Sequence, residues 1–309
     1  MAEGVFEDQE SLVFVPEVPQ KSVAVPMKTA RDATAVVHIK VFLSAQPDSE
    51  VVHIYETDLD LPKFAMYSVV TRDMVDREPE GYVTFPVEER VQRVALWIES
   101  AFNAKLPSLQ NSQKIEAAFK SLRTGNFVVV RTRPNAGADG NIVTVHCDDM
   151  SVAGDMVQEL CQFLEITELQ SEAYFPEEME KLGKVLDDVA EYNTNRIKFQ
   201  AEAADASSLV KAMAVRAEDA RLLQDFDGML DAYARLQDVN RDLLIDHQKR
   251  ATNHKNLLDG LRHINTAIQS AARLRAGQPG TDVVNQCRNA IRQDNFKNLF
   301  MIMQRGVPR

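Results

Sequence analysis

Two histidines on one side of a helix are the first residues in this sequence whose spacing suggests chemistry. His247 and His254 stand seven residues apart, two helical turns, and with a third donor they could ligate a metal. Helix-borne metal sites more often use i, i+3 or i, i+4 spacing, so a polar layer that fixes helix register is the better account. The adjacent carboxylates Asp148–Asp149 and Glu88–Glu89 raise the idea of general acid–base work. Both pairs stand where helices are expected to begin, and the helix dipole explains negative charge there without catalysis. Trp97, the single tryptophan, lies beside Val91, Val94, Leu96 and Ile98 in an amphipathic stretch. It is either a core residue or the anchor of a peptide-binding pocket. His38 and His53 fall in strand patterns and read as surface residues. The sequence contains no GxGxxG, GxxxxGK(S/T), GxSxG or HExxH string. The expectation is a protein that is not an enzyme and uses no cofactor or metal.

The histidine pair belongs to a longer pattern. Stepping alternately four and three residues from Met229 reaches Tyr233, Leu236, Asn240, Leu243, His247, Arg250, His254, Leu257, Leu261, Ile264, Ile268 and Ala271. Eight of these twelve are apolar or aromatic, the repeat of a helix that packs along another helix. The expected seam therefore has Leu257, Leu261, Ile264 and Ile268 as its hydrophobic part, with Asn240, His247, Arg250 and His254 as polar positions setting register. These residues and Trp97 are the candidate interface residues.

Proline distribution shows which elements must position them. Nine prolines precede residue 172, and none falls between Pro176 and Pro279. That span reads as helix throughout, too long for one helix in a compact domain. A break near Asp225–Gly228 divides it into two nearly equal arms, as an antiparallel hairpin requires. Apolar positions on the first arm are Met179, Leu182, Leu186, Val189, Val210, Met213 and Ala217. Its small, polar middle (YNTNRIKFQAEAADASS) should face the polar middle of the second arm.

Upstream, AVVHIKVFL and EVVHIYET are rich in β-branched residues and read as strands around the turn SAQPDS, preceded by the shorter candidates SLVFVPEV and SVAVPM. Residues 1–70 are thus expected to form part of a β-sandwich. Residues 71–171 alternate: a strand at GYVTF, and a helix over PVEERVQRVALWIESAF with Pro86 in its first turn. A second short helix is expected at SQKIEAAFKSLR, and a hairpin at FVVVRTRP and NIVTVHC. A helix then follows, capped by Asp148 or Asp149. This is a small α+β layer. After GQPG, residues 281–309 read as one or two short helices, with apolar positions at Val284, Cys287, Ile291, Phe296, Leu299 and Met303. The overall expectation is an α+β multidomain chain: partial sandwich (1–70), α+β domain (71–171), helical hairpin (172–276) turning near 225–229, and a C-terminal helical segment.

The net charge of −11 is uneven. Residues 247–309 carry 11 basic against three acidic side chains. No aromatic stacking platform accompanies those charges, so nucleic acid is not an expected partner. No run of about 18 apolar residues exists, so no spanning helix is expected. The acidic start lacks the features of a secretory signal. Three cysteines without a CxxC pair suit a reducing compartment.

Taken together, AEGVFEDQESLVF, VVHIKVFL, LPKFAMYSVV, YVTFPVEERVQRVALWI, DDMSVAGDMVQEL, TNHKNLLDGL, INTAIQSAARLRAGQP and CRNAIRQDNFKNLFMIM resemble the C-terminal half of the Bardet–Biedl syndrome 2 family. These are subunits of the BBSome, the ciliary cargo adaptor. The resemblance runs through nearly the whole chain in order. It implies an immunoglobulin-like appendage domain, a platform domain, a helical hairpin and a C-terminal helical piece. The family's β-propeller and coiled-coil segment would precede them, which implies a fragment or truncated gene model. It also implies a structural and adaptor role. The partners implied are other BBSome subunits, above all a related propeller-bearing one, ciliary membrane-receptor cargo and, indirectly, intraflagellar transport. The implied location is the cilium, basal body and cytoplasm, peripheral to membrane. The competing reading from the residues alone is a standalone coiled-coil scaffold that homodimerises through the same heptads and has no cargo role.

Overall fold

The computed structural model describes residue 22 and residues 29–44, 52–75, 77–105, 114–135 and 140–307. The chain divides into two compact units: residues 1–176 with 270–309, and residues 177–269.

In the first unit, strands β1 (Ala35–Ser44) and β2 (Val52–Leu61) form an antiparallel pair in which Ala35 faces Leu61 and Leu43 faces His53. Most described side chains of both strands are exposed, Phe42 and Tyr55 included. SLVFVPEV and nearly all of SVAVPM lie outside the described residues. Asp32, just before β1, accepts a hydrogen bond from the Tyr67 hydroxyl at 3.1 Å and pairs with Arg123 at 2.8 Å.

A second sheet has six strands in the order β3-β5-β6-β7-β4-β8. They are β3 (Tyr67–Val70), β4 (Tyr82–Val87), β5 (Glu116–Ser121), β6 (Phe127–Pro134), β7 (Asn141–His146) and β8 (Glu172–Tyr174). Among the described residues every strand pairing in it is antiparallel. Helices α1 (Val91–Ala101) and α2 (Met150–Leu164) follow β4 and β7. The expected hairpin of β6 and β7 is present. Asp149 caps α2, accepting from the Ser151 and Val152 amides at 2.8 and 3.3 Å.

Four readings are corrected. Within SQKIEAAFKSLR, Glu116–Ser121 forms strand β5, not helix: Ile115, Ala117, Phe119 and Ser121 are buried at every second position, behind a composition of good helix formers. Pro86 lies inside β4 opposite Ile142, and α1 begins five residues later at Val91. Residues 67–70 form an edge strand of the six-stranded sheet and do not belong with β1 and β2. Residues 172–174, expected to open the hairpin, instead pair with β4.

Aromatic stacking holds the core of this layer together. Phe102, just after α1, lies 4.0 Å from Phe119 and 5.2 Å from Phe64, ring centre to ring centre, both stacked. Trp97 meets Phe102 edge-on and is 1% exposed. Burial at that level excludes the peptide-anchor reading; Trp97 is a core residue.

The second unit is a helical hairpin. Helix α3 (Pro176–Leu222) and helix α4 (Phe226–Arg273) flank a three-residue turn at 223–225. Gln224 takes the left-handed conformation there, with φ 59°. The turn thus sits just ahead of Gly228, which lies in the first turn of α4. Asp225 folds back to accept the Gly228 amide at 3.0 Å, and a Cβ on Gly228 would stand 2.3 Å from the same carboxylate. Asp225 thus caps α4, and Gly228 lies past the turn and not in it.

After α4, helices α5 (Gln278–Arg292) and α6 (Phe296–Arg305) complete the first unit, with Cys287, Leu299 and Met303 buried. Phe119→Ala removes the ring that stacks on Phe102 and is expected to cost about 3–5 kcal/mol. Urea unfolding followed by the emission of Trp97 measures it; a loss below about 1 kcal/mol would mean that the stack is not central to the layer.

Candidate protein-interaction surfaces

The seam between α3 and α4 determines which side chains the hairpin leaves outside. All seven apolar positions expected on α3 are buried or half-buried. On α4 the inward track is Ala232, Leu236, Val239, Leu243, Asp246, Arg250, Asn253, Leu257, Gly260 and Ile264. Seven of the twelve expected seam positions face inward: Leu236, Leu243, Arg250, Leu257 and Ile264 lie on this track, and Ile268 and Ala271, nearer the end of the helix, are buried as well. The other five do not. Asn240, His247 and His254 are exposed, Tyr233 is 41% exposed and Leu261 45%. They lie one residue beyond the inward positions.

The cause of this shift is size. Ala217 and Ala232 are buried close to the turn, and Gly260 is so near α3 that a Cβ there would stand 2.5 Å from Val189 Cγ2. Small residues let two helices approach closely, and a count of large apolar residues misses that. Among the described residues two polar bonds bridge the arms: Asn253 Nδ2 donates to the Tyr192 carbonyl at 2.9 Å, and the Tyr233 hydroxyl donates to Glu218, also at 2.9 Å. Arg250 is half-buried, and its Nε is buried without a hydrogen-bond partner among the described residues.

A second surface lies on the six-stranded sheet. Strand register lines up Val70, Ala118, Val129, His146, Tyr82 and Tyr174 across one face. Tyr82 lies 5.8 Å from both the His146 and Tyr174 rings. Arg131 pairs with Glu78 and with Glu116 (3.1 Å), and its Nη1 stands 3.3 Å from His146 Nε2. Burial, then the Arg131 charge, pushes the His146 pKa below its ordinary value, with Glu78 opposing. The hydrogen bond from Arg131 holds the Glu78 carboxyl low. A cleft of about 380 Å³ beside this network is lined by Val69, Arg72, Glu78, Glu116 and Arg131, among others.

The third feature was not legible in the sequence. Arg275 is 2% exposed, and no carboxylate pairs with it among the described residues. Its guanidinium donates to the carbonyls of Ala271 (3.0 Å), Met303 and Gln304 (both 3.1 Å). Those carbonyls end α4 and α6, where helix dipoles concentrate partial negative charge. Burial pulls the guanidinium down to about 10, which leaves it charged at neutral pH. Gln158 Nε2 adds bonds to the Arg273 and Arg275 carbonyls at 2.7 and 2.8 Å, and Ser171 Oγ donates to Leu274 at 2.7 Å. The only sequence signal was one arginine amid AARLRAG.

The paired carboxylates have structural partners. Asp148 accepts the Glu80 and Gly81 amides, Asp149 caps α2, and Glu89 pairs with Arg93 at 2.6 Å. Among the described residues no helix is long and apolar enough to cross a membrane.

Such a chain, with an exposed strand pair, an antiparallel sheet backed by helices, a two-helix arm and short terminal helices, belongs to the multidomain proteins built on appendage, platform and hairpin modules. Four family models match it in order: the BBS2 GAE domain at residues 1–64, the BBS2 platform domain at 67–164, the BBS2 hairpin at 176–273 and the BBS2 C-terminal helix bundle at 278–304. The chain is 38% identical to BBSome complex member BBS2 of Mus musculus and 37% identical to that of Homo sapiens, over 99% of this chain and 42% of each relative. BBSome complex member bbs-2 of Caenorhabditis elegans is 27% identical over 99% of this chain and 43% of the relative. The chain belongs to the BBS2 family, and it spans about two-fifths of the length of these curated relatives.

Arg275→Met leaves three buried carbonyls without their donor and is expected to cost about 3 kcal/mol, with amide exchange quickened in α6. Hydrogen exchange read by mass spectrometry checks this; unchanged α6 protection would contradict it. His146 favours its neutral form in the folded sheet, so its contribution is complete above the unfolded value near 6.5 and is lost as pH falls through that value. Glu78, whose pKa is lowered, loses its contribution only below about 4.5. His146→Gln is expected to flatten stability between about pH 7 and 5.5 while keeping the loss below pH 4.5. Thermal melts across that range decide it: a slope in the upper window that survives the substitution rules His146 out as its source.

Proposed function

We propose that this chain is the interaction-bearing part of a BBSome subunit. It acts without catalysis, as a structural and adaptor element. It assembles with other BBSome subunits, foremost a related propeller-bearing one, and the complex carries membrane-receptor cargo to and from cilia alongside intraflagellar transport. Its membrane association is peripheral and made through the complex, at the cilium and basal body and in the cytoplasm. The observation that carries this reading is the likeness along 99% of the chain to proteins named as BBSome complex members. It is supported by an arm whose outer side exposes Leu222, Leu223, Phe226 and Leu230 around the turn, each 60% or more. Exposed apolar groups in that number cost solubility unless another protein covers them.

The whole 309-residue chain, tagged and expressed in ciliated cells, is expected to co-purify with other BBSome subunits in near-equal amounts by quantitative mass spectrometry. Recovery of the chain alone, as a dimer whose mass depends on concentration, would overturn the reading in favour of a self-associating scaffold.

A further inference from the structure

Helix α4 has two faces of the same period. The inward one packs on α3. The outward one steps three and four residues through Leu230, Tyr233, Gln237, Asn240, Leu244, His247, Ala251, His254, Leu258 and Leu261, every one of them exposed, with only the Tyr233 hydroxyl among the described contacts reaching α3, at Glu218. Leu230 and Leu244 are 61% and 62% exposed, and Leu258 and Leu261 40% and 45%. A 3.5-residue repeat on a free helix face is the pattern that receives a second helix knobs-into-holes. From Leu230 to Leu261 the stripe runs about 45 Å.

Charge says which helix. The exposed positions that flank such a seam are Ala234, Arg241, Gln248, Lys255 and Arg262; on the other side Leu236, Leu243, Arg250 and Leu257 belong to the inward track. Stripe and exposed flank together make fifteen positions from Leu230 to Arg262; three are Arg or Lys and none is Asp or Glu. The acidic residues of the same stretch, Asp231, Asp238, Asp242, Asp246 and Asp259, occupy the remaining helical positions. Arg241 pairs with Asp238 and Arg262 with Asp259 at 2.8 Å, but these bonds are exposed and weak and leave the guanidiniums free to turn. Flanks of one sign repel in a symmetric pairing of two copies and attract a helix whose flanks are acidic.

We infer that the outward stripe of α4 is the docking seam for an amphipathic helix of another polypeptide, about 30 residues long, with apolar residues at heptad spacing and Glu or Asp beside them. This names the partner chemistry of the arm proposed above as an interaction surface, and it rests on that proposal only in taking the arm to be one. Asn240, His247 and His254 become the polar layer of this outer seam, where they select register against the incoming helix.

The test uses the full chain and two synthetic 30-residue helical peptides with the same leucine heptads, one with glutamate flanks and one with lysine flanks. Fluorescence anisotropy is expected to show the glutamate peptide binding at least ten-fold more tightly at low salt, with the preference shrinking as salt rises. The double variant Leu244→Glu with Leu258→Glu should lose ten-fold or more of that affinity while its circular dichroism stays unchanged. The triple variant Arg241→Glu, Lys255→Glu and Arg262→Glu should prefer the lysine peptide. Equal affinity for the two peptides, no binding of either, or binding untouched by the leucine changes would overturn the inference. So would sedimentation as two chains that L244E separates, since the occupant would then be a second copy. Co-purification of BBSome subunits that persists after any of these failures would leave the proposed function standing.

Discussion

Close approach of two helices through small residues is the constraint from which the surfaces of the hairpin follow. Ala217, Ala232 and Gly260 occupy the seam where larger side chains would hold α3 and α4 apart. Leu236, Leu243, Leu257 and Ile264 fill the rest of that seam, and Leu244, Leu258 and Leu261 are left outward, at the usual cost of apolar surface in water. That cost is out of place in a chain that stays alone and natural in one that assembles. The same constraint gives Asn253 its role: with the backbones near, one short amide reaches the Tyr192 carbonyl and fixes the alignment of the arms.

Where α4 ends, the problem is different. Its last carbonyls are buried in the first unit and have no helical partners. Arg275, Gln158 and Ser171 supply donors instead. A charged group that satisfies two helix ends at once is costly to bury and costlier to remove, since the carbonyls it serves would remain. The aromatic stack around Phe102 does comparable work for the sheet by dispersion and shape, with no polar bond needed.

Much of this was legible from composition. Absence of proline over a hundred residues gave the hairpin, β-branched runs gave β1, β2, β6 and β7, and the pair Asp148–Asp149 announced the start of α2 without saying which of the two caps it. The failures share a cause: local preference yielded to packing. Glu, Ala and Lys in EAAFKS favour helix, yet the alternate burial of Ile115, Ala117 and Phe119 decided for a strand. Pro86 suits the first turn of a helix but equally suits a strand position that needs no amide donor. On α4 every second expected seam position, Leu236, Leu243, Arg250, Leu257 and Ile264, faces inward, but those between came out one residue late, because Ala232, Asn253 and Gly260 are too small or too polar to be picked by hydrophobic size. Arg275 left almost no trace, because nothing in a sequence tells a buried arginine from a surface one until the carbonyls it meets are in place.

The frame of α4 is the claim most worth attacking. Single cysteines placed in turn at Asn253, His254, Leu257, Gly260 and Leu261 of the full chain can be timed in their reaction with a maleimide, against the background of buried Cys147, Cys161 and Cys287. Fast labelling at 254 and 261 with slow labelling at 253, 257 and 260 is the expected pattern. Slow labelling at 254 and 261 would put the Tyr233 track back in the seam, and the outward face described for this helix would not exist.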